Sequence, residues 1–212
     1  MYKLLLLSII PFFLISCNKN DNSSSQDIEA SNYFALTLGN SWTYDVFEFR
    51  ESSGNYEPLG YKIITSISRK KTINGKIFFY LETNEEGNNV NFNLVDYVGN
   101  IFVRDSLGYL VRPDGVIKFT TQTSDPYFIN ATGLNKQYGQ YIPEVITLET
   151  PMGNFQDIDF NKTFLDFENG NNSHDLEKTY YKSGAGLVVK VVTSINNPNS
   201  SYFLVLTDSN VN

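Results

Sequence analysis

The sequence predicts an all-β protein, and three of its features lead to this fold class. Aromatic residues are abundant, with 16 Phe and 14 Tyr, and they are mixed with Val, Ile and Thr, a composition that favours strands. Turn residues separate the apolar runs at short intervals, and no convincing apolar stripe has helical spacing. We therefore expect an antiparallel sheet of about ten strands, which forms a curved half-barrel, a barrel or a sandwich.

The first strand is expected at residues 41–49, where Trp42, Tyr44 and Val46 share one face. Later aromatic residues in this segment break the alternation, which indicates either a bulge or a strand that is covered on both faces.

A hairpin is expected at Asn74-Gly75, which lies between two apolar runs, because a type I′ turn needs positive φ at both central positions. Turn residues also delimit further strands, which are expected at residues 61–67, 77–83, 90–94, 101–104, 109–111, 116–121, 145–149, 154–164, 179–182, 187–195 and 202–207.

Residues 122–143 are expected to be the longest irregular stretch. Proline and glycine punctuate it at Pro126, Gly133, Gly139 and Pro143. Four aromatic residues of this stretch are candidate ligand-binding residues: Tyr127, Phe128, Tyr138 and Tyr141. These side chains either line a groove for a sugar or a lipid, or cap one end of the sheet.

Residues 1–16 have the layout of a secretory signal peptide, in which Lys3 precedes an almost wholly apolar run at 4–15. As a helix this run spans roughly 18 Å, less than the ~30 Å hydrocarbon core of a bilayer, so we expect a signal peptide rather than a membrane span. Residues 17–30 are polar and are expected to form a flexible tether. Residues 31–212 are long enough for a single all-β domain with its own core.

Leu14-Ile15-Ser16-Cys17 resembles the bacterial lipobox. The resemblance implies a diacylglycerol on the thiol of Cys17 and an acyl chain such as palmitate on its amine. The alternative is an ordinary signal peptide with a cysteine near its cleavage site. Two or three acyl chains would anchor the protein durably, since each buried CH₂ contributes ~0.8 kcal/mol. An acylated Cys17, the only cysteine, leaves no thiol for a disulfide or a nucleophile.

The charge and the scarcity of reactive side chains restrict the function. A formal net charge of −7 argues against a nucleic-acid partner and against docking on anionic lipid. His174, the only histidine, lies beside Ser173 and Asp175, but three adjacent residues cannot converge as a catalytic triad. We expect no catalytic residue and no cofactor. A hydrolase with a carboxylate pair is the enzymatic alternative, although the sequence selects no pair.

Oxygen-bearing residues also match the spacing of a calcium loop at its positions 1, 3, 5 and 12: Asp157, Asp159, Asn161 and Glu168. Lys162 stands where that loop needs glycine. The alternative is a half-buried strand with Ile158 and Phe160 inward and the three polar residues outward.

A glycosylation site is a further candidate. Asp105-Ser106-Leu107 resembles the O-glycosylation motif of Bacteroidota, which implies a surface glycan on Ser106.

Three ordered segments resemble a family of Bacteroidota lipoproteins: YFALTLGNSWTY at 33–44, ETPMGNF at 149–155 and YYKSGAGLVVK at 180–190. The chain departs from the family pattern at Ala35, where Pro is usual, at Met152, where Ala is usual, and at Val189, an extra residue before the lysine. The resemblance implies no catalytic residues. Fold-level similarity to the half-barrel of lipoprotein carriers is also consistent with it.

These observations together lead us to expect a lipid-anchored envelope lipoprotein, attached to the outer membrane through Cys17. Its head would be a non-catalytic binding module for an apolar or saccharide ligand. The alternatives are a structural or assembly subunit that contacts other envelope proteins, and the carboxylate hydrolase.

Overall fold

A computed structural model describes residues 32–87, 98–132, 135–167, 174–193 and 201–212. These residues form twelve strands: β1 (Ser41–Arg50), β2 (Asn55–Ile73), β3 (Lys76–Gly87), β4 (Ile101–Asp105), β5 (Tyr109–Val111), β6 (Ile117–Thr120), β7 (Tyr127–Thr132), β8 (Asn135–Thr150), β9 (Gly153–Phe167), β10 (His174–Lys182), β11 (Gly186–Thr193) and β12 (Ser201–Asn210). The predicted all-β class is confirmed. Within the same ranges, no helix has the length and apolarity needed to cross a membrane.

The strands form one antiparallel meander that is nearly closed into a barrel. Each strand pairs with its successor apart from β6 and β7, and β12 returns to pair with β1, so the order is β6-β5-β4-β3-β2-β1-β12-β11-β10-β9-β8-β7. The two ends of the sheet, β6 and β7, approach each other, but no backbone hydrogen bond joins them in the described part of the chain. This unpaired approach is called the seam below. Of the three expected alternatives, the structure therefore selects the barrel, with one seam.

The buried face and the bulge of β1 lie where the sequence predicted them. Trp42, Tyr44 and Val46 are each at most 4% exposed, and the pairing of β1 with β2 shifts register between Asp45 and Phe47. The shift confirms the expected bulge, which is why alternation ends there.

The β2–β3 hairpin turns at Asn74-Gly75, with φ of 50° and 73°. Positive φ at both positions confirms the predicted type I′ geometry, which matches the right-handed twist of the strands.

The prediction of an irregular stretch at residues 122–143 is wrong, because β7 and most of β8 occupy it. Gly139 lies in β8 under the ring of Tyr127, where a Cβ would come within 2.3 Å of a ring atom. Pro143 lies where β8 shifts register against β9, between Ile142 and Ile146. Glycine and proline here permit a close approach and a bulge within a strand, rather than ending it.

Asn40 ties the two ends of the described domain together. It is fully buried; its Nδ2 donates to the Ala35 carbonyl at 2.8 Å, and its Oδ1 accepts from the Asn212 backbone N–H at 3.0 Å. Ala35 has φ of 52°, which a proline ring cannot adopt.

The beginning of β11 is fixed across the barrel by β1. The Trp42 indole N–H donates to the Ala185 carbonyl at 2.6 Å, and the Tyr44 hydroxyl donates to the Leu187 carbonyl at 3.0 Å. Gly186 between them has φ of 88°, and a Cβ there would lie 3.1 Å from the indole nitrogen. Only glycine combines this φ with so close an approach.

Gly186→Ala is expected to lower the free energy of unfolding by about 2–4 kcal/mol, because positive φ and overpacking both oppose the new methyl group. Gly184→Ala is the matched control, since Gly184 also has positive φ, 75°, but a Cβ there would meet no atom within 4 Å. Urea denaturation followed by the fluorescence of Trp42, the only tryptophan, measures both losses. Equal losses in the two variants would contradict the close contact with the indole.

Candidate functional site

The barrel encloses two adjoining cavities, together called the lumen below. The smaller cavity, about 40 Å³, is almost wholly apolar and includes Phe34, Trp42 and Tyr44 in its lining. The larger cavity, about 240 Å³, is predominantly polar. Five residues border both cavities and join them: Leu81, Val98, Leu110, Tyr181 and Leu187. The lumen therefore has one apolar end and one polar end.

Charged side chains from three strands meet at the polar end. Lys118 of β6, Glu177 of β10 and Lys190 of β11 all line the larger cavity. The Lys190 ammonium lies 2.8 Å from a Glu177 carboxylate oxygen, with the two side chains 6% and 16% exposed. At such burial, the attraction between two close opposite charges is what offsets the cost of removing each of them from water.

The electrostatics of this cluster are shown by its pKa values. Burial would raise the pKa of Glu177, but attraction by Lys190 and then by Lys118 outweighs it and holds that pKa below the ordinary value. Burial is also the main reason why the pKa of Lys118 is lowered, and repulsion by Lys190 lowers it further, although Glu177 opposes this. The cluster thus stabilises the charge of Glu177 and disfavours that of Lys118.

A bulge in β11 turns Lys190 toward the lumen. In the pairing of β10 with β11, Tyr180 faces Val189 and Tyr181 faces Leu187, so Val188 has no partner. Both Leu187 and Lys190 line the larger cavity, although strict alternation would place residues three apart on opposite faces.

Polar side chains of β9 continue the polar lining. Asp159 accepts hydrogen bonds from the hydroxyls of Tyr33 and Tyr141, the latter at 3.0 Å. Burial and the bond to Asp159 raise the pKa of both phenols. Asn161 is 3% exposed, and its Nδ2 donates to the Tyr127 hydroxyl at 3.0 Å; burial raises the pKa of Tyr127 to about 12. All three phenols therefore stay neutral at physiological pH and act as hydrogen-bonding groups.

Three residues of β9 lie on faces opposite to the strand interpretation, whereas Asp157 is exposed and Ile158 is buried, as that interpretation expected. Asp159 and Asn161 pair directly with Tyr181 and Thr179, both of which line the lumen, so the polar residues face inward. Phe160 lies on the other face, stacked on Tyr180 at 4.8 Å. Polar and apolar residues alternate at positions 159–161 as predicted, but here the polar side chains are the ones that face the lumen.

The calcium interpretation stays a prediction. Asp157 is solvent-exposed, Asp159 bonds to two phenols, and Asn161 is buried, while Glu168 lies outside the described residues. The described residues contain no group of three or more His, Cys, Asp or Glu placed to hold a metal ion.

The four candidate aromatic residues are divided between the two faces of the sheet. Tyr127 pairs with Gly139, and Tyr141 pairs with Asn161, so both lie on the lumen face. Phe128, 55% exposed, contacts Tyr138 at 6.0 Å between ring centroids on the outer face. The structure thus brings only half of the predicted groove residues to the lumen.

Two further candidates are placed only by position. Ser106 lies in the turn between β4 and β5, beside the exposed Leu107. Cys17 lies outside the described residues.

Sequence reasoning missed Lys118, Glu177 and Lys190 as a group. One signal was present for Lys190, because a lysine lies within the otherwise apolar run Leu187-Val188-Val189-Lys190-Val191-Val192. A charged residue in a buried strand needs a partner, and that partner comes from another strand. The sequence contains no comparable signal for Glu177 or Lys118.

The chain resembles two solved structures. One is a "putative lipoprotein" from Parabacteroides distasonis ATCC 8503, with 11% identity, coverage of 84% of this chain and 99% of that chain, and a TM-score of 0.45. The other is a "putative exported protein with YmcC-like fold" from Bacteroides fragilis NCTC 9343, with 10% identity, coverage of 84% and 98%, and a TM-score of 0.43. No family model and no curated protein matches the chain.

Lys118→Met is expected to raise the free energy of unfolding at pH 7 by about 0.5–2 kcal/mol. The reason is that it removes a partly buried charge, while the methionine side chain has a length and shape similar to those of lysine. The folded-state pKa of Lys118 is lowered, so the unfolded chain binds more protons between that pKa and the ordinary lysine value. The free energy of unfolding of the wild type therefore rises relative to that of the variant as pH rises through this window. Urea denaturation at a series of pH values measures the difference between the two free energies of unfolding. A difference that does not change with pH would contradict the lowered pKa of Lys118.

Proposed function

We propose that this chain is a cell-envelope lipoprotein, anchored in the outer membrane through Cys17, whose barrel binds a small ligand without catalysis. The lumen carries this proposal: its larger cavity of about 240 Å³ adjoins an apolar cavity and is lined by charged and hydrogen-bonding groups. Concave sites with an apolar wall and a few convergent polar groups are typical of ligand pockets. Lys118 and the ion pair of Lys190 with Glu177 place charges where a core usually has apolar side chains.

The anchor is supported by the lipobox resemblance at residues 14–17 and by the polar segment that follows it. Such a segment would hold the barrel close to the membrane while leaving it free to turn.

An assembly role is the second candidate, and one observation favours it. Aromatic residues form a row on the outer face of the edge strand β7 and its neighbours, with Phe128 exposed and the other two partly buried. Phe128 contacts Tyr138 at 6.0 Å, and Tyr138 contacts Phe164 at 5.9 Å. An edge strand with an exposed aromatic side chain is suited to contact with another envelope protein.

Cys17→Ala is expected to abolish incorporation of labelled palmitate, because the thiol is the proposed site of lipid attachment. Ser16→Ala is the matched control, since it keeps a small residue before the cysteine and should keep the label. Both are measured by metabolic labelling in the native host, followed by immunoprecipitation. Labelled Cys17→Ala protein would contradict the anchor.

Thr179→Phe is expected to reduce the amount of co-purifying ligand severalfold, because Thr179 lines the larger cavity and a ring would occupy it. Lys178→Phe is the matched control, because the neighbouring position faces away from the lumen. Native mass spectrometry of protein from its own host measures occupancy, and thermal unfolding checks that both variants fold. Wild-type protein with an empty lumen would overturn the binding function.

A further inference from the structure

In the part of the chain that the structure describes, two cations of the larger cavity have a close carboxylate partner, and one does not. Lys190 is paired with Glu177 at 2.8 Å, and Arg112 at the border of the cavity is paired with Asp114 at 2.7 Å. For Lys118, by contrast, no carboxylate lies within ion-pair distance among the described residues. Among these residues Lys118 therefore lacks a close ion-pair partner in a partly desolvated site.

This burial lowers stability, since attraction by Glu177 does not outweigh the hydration that the Lys118 charge loses. Binding of one anion beside Lys118 would supply the missing partner. A neutral ligand would leave the cost in place, and a cation would increase it. The charge of the site thus selects for a ligand with a single negative charge.

The shape of the lumen adds a second requirement. From Lys118 the larger cavity adjoins the apolar one across shared residues that include Leu110 and Leu187, and the apolar cavity reaches Trp42. A ligand with its anionic group at Lys118 would direct its other end toward these side chains. Apolar groups there would be removed from water at a gain of about 25 cal/mol per Å².

We infer that the ligand is an amphiphilic monoanion, a small apolar carboxylate, whose head pairs with Lys118 and whose apolar arm extends toward Trp42. This inference rests on the proposed binding function and specifies its ligand class. Lys190 lies in the same cavity and adds positive potential near the head, while Glu177 holds its ammonium in place.

Octanoate tests the inference, with octan-1-ol and octylammonium as neutral and cationic probes of equal chain length. The protein is the full-length chain carrying Cys17→Ala, which has no acyl chains of its own to compete for the lumen. Calorimetry measures affinity, and the fluorescence of Trp42, the only tryptophan, reports whether the apolar cavity is filled.

We expect octanoate to bind one to one, to change the emission of Trp42, and to bind at least tenfold more tightly than either other probe. Lys118→Met should weaken octanoate binding at least tenfold and leave that of octan-1-ol within threefold. Lys118→Arg keeps the charge and should keep octanoate binding within about threefold. Thermal unfolding checks that each variant folds, and Lys118→Gln replaces Lys118→Met if that variant does not.

Three results would overturn the inference, and they differ from failure of the proposed function. Equal binding of octanoate and octan-1-ol, or octanoate binding that Lys118→Met leaves unchanged, would show a lumen that binds ligands without selecting an anion. Tighter binding of octyl phosphate than of octanoate would show a site for a dianion. Absence of binding by every probe, with an empty lumen in protein from the native host, would refute the binding function itself.

Discussion

Two hydrogen bonds across the barrel, from Trp42 to Ala185 and from Tyr44 to Leu187, determine where β11 begins. Everything on the lumen face of β11 depends on this position. One residue of slip would exchange the two faces of the strand, and Lys190 would leave the cavity. The unpaired Val188 then corrects the alternation so that both Leu187 and Lys190 face inward. An aromatic anchor and a bulge thus fix the location of a buried charge.

The lumen combines groups that protein cores ordinarily exclude. Replacing a buried ion pair with apolar residues is often neutral or stabilising, so the pair of Glu177 and Lys190 is weakly explained by stability alone. The phenols held by Asp159 are similarly costly to bury unless each polar atom finds a partner. Departures from an apolar core are expected where function requires them. Here they are collected at one end of the barrel, and the apolar residues at the other.

The sequence predicted the parts of the fold that local chemistry determines. Positive φ at Asn74-Gly75 and the alternation ending at Asp45 needed only neighbouring residues, and both were found as expected. Gly139 was interpreted as part of an irregular stretch, but it lies within a strand, where the absence of a side chain makes room for the ring of Tyr127 on the neighbouring strand. Such a contact is invisible in a local pattern.

The candidate site could be predicted much less well, for a related reason. Glu177 and Lys190 lie on neighbouring paired strands, but Lys118 of β6 meets them only after the sheet has curled. The inward face of β9 was misassigned because hydrophobic residues are normally placed inside, whereas Asp159 and Asn161 face the polar end of the lumen. Pattern reasoning assumes an apolar inside, and the assumption fails for proteins that enclose a polar cavity.

The seam between β6 and β7 has a consequence for traffic into the lumen. Every other neighbouring pair of strands is held by a ladder of backbone hydrogen bonds, and widening the barrel there would break several at once. At the seam only side chains and a short connecting segment resist separation. Lys118 belongs to one of the two strands that flank it, and Ile129 on the other also lines the larger cavity. Any widening of the barrel at the seam would therefore bring Lys118 toward solvent without the loss of a backbone ladder.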